Sequence, residues 1–452
     1  MIAPPREAGP NIENAVDVHR GLVSRRIFTD REIYDQEQER IFRRCWIFMG
    51  HETEIPKTGD YITTRIADTS VIMCRTLSGE VKGLVNSCRH RGNTVCRTDA
   101  GNLKTFTCSY HGWAYDLQGK RVASGGLINV PGANAFYNGK FNLEDWGLVP
   151  VPRVESYRGL VFGSFDPEAP PLETYLGDIR WALDMTLDRG DLVAAPGPLR
   201  WRQKTNWKFA ADNCGDMAHV QVTHRSAFIS MSKLNGTKVA PVGTAQPGFT
   251  LLTEYGHMGN FQTASVEDGP NADRSKGFKY ANAGAEYWRN RPEIVAAQGA
   301  FKNSVLRFNM HIFPNLFIID RVLMVRNPLG PSDTEQRIFG LYDRSAPEEV
   351  QRQELRSMYR KFGPTGLLEQ EDGENFVEST RGVNFETIAD KDLNYEMGAG
   401  AEVVDDGQSP PRIPTMFNEH GQRWFYQAWA QAMESPSWDA FNARQARAAG
   451  TF

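Results

Sequence analysis

Four side chains in two short runs stand out for the chemistry they can do together: Cys88-Arg-His90 and, after seventeen intervening residues, Cys108-Ser-Tyr-His111. Two thiolates and two imidazoles on paired loops can hold a [2Fe–2S] cluster, both sulfurs on one iron and both nitrogens on the other. Imidazole in place of thiolate raises the reduction potential, typically to about −150 to +300 mV, and such a centre moves single electrons. A structural zinc ion also accepts two sulfurs and two nitrogens. Zinc modules, however, usually take C-x₂₋₄-C and H-x₃₋₅-H pairs, whereas each half here contributes one Cys and one His. Arg91-Gly92 follows the first pair and Gly112-Trp113 the second. Glycine lets the backbone come close to a cluster and aim N–H groups at its sulfurs.

A second constellation lies between Asn206 and His224, where Asp216, His219 and His224 fall in sequence. Two histidines five apart, preceded by a carboxylate, can supply most of a 2-His-1-carboxylate triad for non-haem Fe(II), which leaves open positions for oxygen. Around a helix, at about 100° per residue, positions i and i+5 lie roughly 140° apart. Both imidazoles therefore reach one metal only if the helix ends or distorts between them, and a break is predicted near Val222 to His224. Asp216 and His219, three apart, are expected on one helix face, which suits Asp216 to holding the free N–H of His219. Far downstream, Leu368-Glu-Gln-Glu-Asp372-Gly-Glu-Asn375 is an acidic cluster. Its plain reading is a solvated helix face, and Glu369, Glu371 and Glu374 compete with Asp372 for any liganding role.

Elements must position these groups. At 452 residues the chain is too long for a cluster domain alone and leaves room for at least one further domain. A net charge of −4, without a long run of one sign, gives no reason to expect nucleic acid or an anionic membrane as partner. With no apolar stretch near twenty residues and no charged-then-apolar leader, a cytoplasmic enzyme is expected, and Cys45, Cys74, Cys96 and Cys214 are read as reduced thiols. Residues 29–48 read as a helix capped by Asp30. From 59 to about 162 the pattern changes to short alternating runs with turns at Ser78-Gly79 and Gln118-Gly119, hairpins that present the ligand loops. A Pro-rich patch at 166–171 marks a boundary; beyond it helix and strand patterns mix, ending in an aromatic-rich helix at about 421–433.

The stretch carrying Cys88, His90, Cys108 and His111 resembles the Rieske domain of ring-hydroxylating oxygenases. The D-x-x-H-x₄-H pattern of Asp216, His219 and His224 is similar to the mononuclear iron motif of that family, in its naphthalene and biphenyl dioxygenase large-subunit type, and the likeness covers nearly the whole chain. Respiratory Rieske proteins add a bracing disulfide between the loops. Here position 110 is Tyr and Cys96 has no counterpart in the second loop, so the pattern looks like the oxygenase and ferredoxin branch.

The resemblance implies an α+β protein: an all-β Rieske [2Fe–2S] domain at 44–166 and a catalytic domain at 167–452 with a large antiparallel sheet flanked by helices. A helical segment at 1–43 would belong with the catalytic domain. It implies a Rieske [2Fe–2S] cluster on Cys88, His90, Cys108 and His111, and a mononuclear non-haem Fe(II) on His219, His224 and Asp372. Asp216 would bridge His219 and the His111 of a neighbouring copy in a trimer. Also implied are ferredoxin and/or reductase electron donors, a small β subunit completing an α3β3 hexamer, and an aromatic substrate oxidised with O₂, expected to give a cis-dihydrodiol. A Rieske monooxygenase or demethylase is the second reading, and a non-catalytic electron-transfer or zinc-binding protein the third. By family position the substrate pocket comprises Asn213, Phe209, His311, Asn315, Phe362, Leu367 and Leu368, and Arg307 or Arg321 could hold a substrate carboxylate. Three departures stand out: Glu371 where many relatives carry Asp, one residue fewer between Trp207 and Asp216, and Ala218 in place of an aromatic residue.

Overall fold

The structure, a computed structural model, describes residues 12–122, 137–138, 140–236, 238, 247–263, 287–400 and 410–445. Its chain divides into two compact units, 42–172 and the combination of 12–41 with 173–445.

The first unit is built from short antiparallel strands. Val81–Val85, Thr69–Arg75, Asp60–Ile66 and Ala100–Asn102 form one sheet in that order, and Arg121–Val122, Ala114–Tyr115 and Phe106–Thr107 a second. The predicted turns are present: Gly79 and Gly119 both take the left-handed conformation, φ 84° and 80°, that glycine adopts without a Cβ clash. Between the two sheets lies a core that includes Tyr61, Ile72, Phe106, Trp113 and Tyr115 together with Cys88 and Cys108.

The helix expected over 29–48 is shorter than predicted. Asp30 does cap it, its carboxylate accepting from the N–H groups of Glu32 (2.8 Å) and Ile33 (3.4 Å). Yet the helix Arg31–Glu37 winds into a π turn, Gln38–Phe42, and Ile47–His51 is a strand pairing with Leu160–Ser164. All five residues of that strand are buried, so its apolar run has no period by which sequence could tell strand from helix.

In the second unit the described residues form a nine-stranded antiparallel sheet. Its order is Leu192–Ala194, Asp333–Asp343, Val322–Gly330, Leu316–Ile319, Val305–Ile312, Met258–Thr263, Gly248–Leu252 and Arg412–Ile413, with Leu199–Gln203 also on Asp333–Asp343. Helices cover it, as the α+β expectation required. His420–Glu434 matches the predicted aromatic helix and buries Trp424, Phe425, Tyr426 and Trp429. Deep in this unit Glu37 receives Lys208 Nζ (2.6 Å), Trp207 Nε1 (2.8 Å) and Trp429 Nε1 (2.8 Å), with both charged side chains fully buried. This pair anchors helix Trp207–Asp212, which leads into the histidine segment. All six cysteines are free, and among the described residues no helix is long and apolar enough to cross a membrane.

Candidate functional site

The two ligand loops of the first unit are closed in the same way. Cys88 N–H donates to Asn93 O (2.9 Å) and Gly92 N–H to Cys88 O (2.8 Å); Cys108 N–H donates to Trp113 O (2.8 Å) and Gly112 N–H to Cys108 O (2.9 Å). Gly92 and Gly112, at φ 73° and 70°, make each turn tight enough to bring cysteine and histidine to one side. The cysteines are buried while the histidines stay partly exposed. His90 Nδ1 and His111 Nδ1 face each other at 3.1 Å, and Trp113 stacks on His90 at 4.9 Å. Polar groups reach the sulfurs: Tyr115 Oη lies 3.2 Å from Cys88 Sγ, and Asn93 Nδ2 donates to Cys108 Sγ at 3.4 Å. Two buried thiols behind two outward nitrogens fit a cluster with one sulfur-held and one nitrogen-held iron.

In the second unit, helix Trp207–Asp212 is capped by Asn206, whose Oδ1 accepts from Lys208 N–H at 3.0 Å, and passes into the 3₁₀ turn Asn213–Gly215. It stops at Asp216, which is extended (φ −97°, ψ 107°). Asp216 Oδ1 accepts from the N–H groups of Ala218 (2.8 Å) and His219 (3.1 Å), and its Oδ2 lies 3.3 Å from His219 Nδ1. Asp216 does hold His219, but through a turn; the shared helix face expected from the spacing is not what joins them. One helical turn, Val220–Thr223, follows before His224 (φ −89°, ψ 18°) breaks it and helix Arg225–Asn235 begins. That break, where the five-residue spacing required it, lets both rings face one point, their centroids 5.3 Å apart.

Asp372, in the first turn of helix Glu369–Val383, completes the group. Its Oδ1 lies 3.4 Å from His219 Nε2 and 3.3 Å from His224 Nε2, and is buried without a hydrogen-bond partner. His224 Nδ1 sits 3.0 Å from Glu371 Oε2, and His219 Nδ1 beside Asp216, so each ring has a carboxylate behind it and its Nε2 toward Asp372. One donor atom from each of the three residues lies within 4.8 Å of the others. Two imidazole nitrogens and a carboxylate oxygen converging on one point are the donors of a 2-His-1-carboxylate site, so the set fits Fe(II). Burial opposes charge on both partners, yet the mutual contacts hold Asp372 down to about 2, and those with Asp216 and Asp372 raise His219 to about 10. The rival carboxylates are otherwise engaged: Glu369 pairs with the buried Arg326 at 2.7 Å, Glu371 backs His224, and Glu374 faces outward.

Beside the triad opens a cavity of about 550 Å³ lined by His219, His224 and Asp372 and by apolar side chains including Met217, Phe228, Met231, Phe317 and Met324. Of the pocket residues expected from sequence, Asn213, Phe362 and Leu368 line it, and Asn213 Nδ2 is 3.3 Å from His219 Nε2. Phe209, His311, Asn315 and Leu367 are not in its wall. Phe209 stacks on Phe28 at 4.3 Å in the core. His311 shares a strand face with Arg307 and Asn309 but lies deeper, against Phe425, where burial pushes its pKa down to about 3 and keeps it neutral. Asn315 Nδ2 is spent on Arg326 O (3.2 Å) and Asn327 Oδ1 (3.3 Å), and Leu367 is held in a turn by its N–H to Arg360 O (2.8 Å). Arg321 is buried against Glu354, whereas Arg307 lines the cavity. The sequence reading missed Phe228 and Met231, although their spacing from His224, four and seven residues on, is the helical signature of one face.

Comparison with known proteins accords with this geometry. The family described as "Rieske [2Fe-2S] domain" matches residues 45–133, and "Ring hydroxylating alpha subunit (catalytic domain)" matches 172–435. Biphenyl 2,3-dioxygenase subunit alpha of Rhodococcus jostii (strain RHA1) is 34% identical over 455 residues, covering 97% of this chain and 95% of that protein. Benzene 1,2-dioxygenase subunit alpha of Pseudomonas putida is 35% identical over 446 residues, covering 96% and 95%. Among solved structures, naphthalene 1,2-dioxygenase with indole bound in the active site superposes with a TM-score of 0.83 at 30% identity, covering 97% of each chain. A quaternary ammonium Rieske monooxygenase, at 18% identity and TM-score 0.65, shares the fold alone. With a family match over more than half of its length and relatives a third identical nearly end to end, this chain belongs to the Rieske-type ring-hydroxylating oxygenases, as an α subunit.

Proposed function

We propose that this chain is a terminal oxygenase α subunit that adds both atoms of O₂ to an aromatic ring, giving a cis-dihydrodiol. The observation that carries the reading is the triad of His219, His224 and Asp372 opening on one side into a largely apolar cavity. Cys88, His90, Cys108 and His111 are the residues to hold the Rieske cluster, and His219, His224 and Asp372 those to hold the mononuclear iron. When bound, the cluster supplies single electrons and the ferrous ion supplies oxygen activation.

The protein's part is position. Met217, Phe228, Phe317 and Phe362 offer flat apolar walls that orient a ring and exclude water. Asn213 offers a polar group beside His219 Nε2. Asp216 fixes the orientation of His219 and, in this reading, bridges it to His111 of a neighbouring copy in a trimer. Residues 44–166 then serve as the electron-transfer domain and 167–452, with 1–43, as the catalytic domain. Ferredoxin and reductase are the electron donors, a small β subunit completes an α3β3 hexamer, and the assembly works in the cytoplasm.

The test is oxidation of biphenyl, benzene and naphthalene under labelled O₂ with compatible electron carriers. Both labelled atoms in one cis-dihydrodiol are expected; a single labelled hydroxyl or a released aldehyde overturns dioxygenation in favour of a monooxygenase or demethylase.

A further inference from the structure

Arg121, in the first unit, is a buried cation with no carboxylate beside it. It lies in strand Arg121–Val122 directly opposite Tyr115 and is 5% exposed. Its Nη1 donates to the carbonyls of Ala114 (3.0 Å) and Val122, while Nε and Nη2 are buried without a hydrogen-bond partner. The chain from 121 to 143 contains no Asp or Glu. Burial pulls the Arg121 pKa down, and the groups whose negative form would hold it up are Tyr115, Cys88 and Tyr137. A guanidinium keeps its charge in proteins, so burying one without a counter-charge is expensive.

What Arg121 packs against is the aromatic backing of the ligand loops. Its guanidinium lies over Trp113 at 4.7 Å, and Trp113 stacks on His90 at 4.9 Å with the rings 9° from parallel. It also lies over Tyr115 at 5.9 Å, and Tyr115 Oη is 3.2 Å from Cys88 Sγ. One aromatic side chain therefore stands between the cation and a ligand for each iron, Cys88 on the sulfur-held side and His90 on the nitrogen-held side. Two ferric ions, two sulfides and two thiolates sum to no net charge, and neutral imidazoles add none; one added electron makes the centre singly negative. A fixed positive charge is indifferent to the first state and attracts the second.

We propose that Arg121 raises the reduction potential of the Rieske cluster by stabilising its reduced form; the proposal rests on assigning that cluster to Cys88, His90, Cys108 and His111. In the step concerned the cluster gains one electron from a one-electron carrier, which is oxidised in turn, and no bond in the protein is made or broken. The consequence is a cluster that fills more readily from its donor and parts less readily with its electron.

The experiment is a potentiometric titration of the holoenzyme at pH 6, read from the cluster's visible spectrum. Arg121→Gln and Arg121→Met should each shift the reduction equilibrium about ten-fold toward the oxidised form, about 59 mV for one electron, the low end of what an opposite charge does to a neighbouring ionisable group. Arg121→Lys, which keeps the charge, should lie closer to wild type than to either neutral variant. All three variants shifting alike, or the neutral pair leaving the potential in place, overturns the proposal. If the neutral variants fail to hold a cluster, the wild-type potential decides. A buried charge is poorly screened, so the potential should be nearly flat from about 0.05 to about 1 M salt, whereas a steep salt dependence assigns the field to the exposed Arg89 and Arg91 and overturns the role of Arg121. Wild-type protein without acid-labile sulfide sinks the cluster assignment itself; a full cluster with unmoved potentials sinks Arg121 alone.

Discussion

Replacing Glu37 by Gln removes the negative charge paired with Lys208 while barely changing shape. In the native protein Oε1 receives Lys208 Nζ at 2.6 Å and Trp429 Nε1 at 2.8 Å, and Oε2 receives Trp207 Nε1 at 2.8 Å. A glutamine offers one acceptor oxygen, so its NH₂ must face one of these donors, and Lys208 loses its counter-ion inside a site closed to water. Breaking a buried pair from one side costs about 3–5 kcal/mol. At about 2.1 cal/mol/K per residue a unit of this size shifts by about 1.5 °C per kcal/mol, so the midpoint of thermal unfolding falls by roughly 4–8 °C. Burial already pulls the Lys208 pKa down and Glu37 pulls it back, so the variant's folded-state pKa drops further below the unfolded one. The unfolded chain then binds more protons, and the deficit shrinks as pH rises. The double variant Glu37→Met, Lys208→Met should recover part of the loss, limited by the two indole N–H groups left without acceptors, about 1–3 kcal/mol each. Scanning calorimetry at pH 6 and pH 9 is the assay. A Glu37→Gln midpoint within about 2 °C of wild type, or a deficit that grows with pH, refutes the reasoning.

Asp372→Ala and His224→Ala should each lower iron from about three to about two atoms per chain while acid-labile sulfide stays near two; unchanged iron by elemental analysis would mean that another group holds the metal. Asp216→Asn should keep both metal sites filled yet slow turnover sharply, and normal turnover in steady-state assays would end its role as bridge. Tyr115→Phe removes the hydroxyl 3.2 Å from Cys88 Sγ and should lower the cluster's reduction potential in a redox titration, because a donor to sulfur favours the reduced state. Burial holds the Asp212 carboxyl up to about 7 despite hydrogen bonds from Tyr395 and Tyr426, against about 3.9 unfolded, so it binds its proton more tightly when folded. Its contribution is full below about pH 4 and fades as pH rises through about 7; Asp212→Asn should flatten that slope in urea midpoints measured across the range.

The metal chemistry was legible because its signals are local. Cys88-x-His90 and Cys108-x₂-His111 bring their own loop geometry, and the spacing of His219 and His224 demanded the break that occurs at His224. Asp372 needed the family pattern, since nothing in its own acidic stretch separates it from Glu369 or Glu371; only the folded protein shows Glu369 given to Arg326. Pocket residues were harder. A side chain's direction depends on which helix face or strand end meets the cavity, and Phe209 and His311 sit on the right elements pointing into the core. The Glu37 to Lys208 pair, 171 residues apart, carries no local signal at all. The strand at Ile47–His51 was misread for the opposite reason, burial so complete that no periodicity remained.

Because His224 interrupts the chain between two helical pieces, the two imidazoles of the triad ride on different bodies. His219 belongs to the Asp216 turn, while His224 begins helix Arg225–Asn235, whose Phe228 and Met231 form part of the cavity wall. A guest in the cavity therefore meets Phe228 and Met231 on the helix that starts at His224, while His219 is held separately by the Asp216 turn. The cavity wall and one of the two metal-facing rings are thus parts of a single helix, so substitutions at Phe228 or Met231 alter the wall on the same element that carries His224.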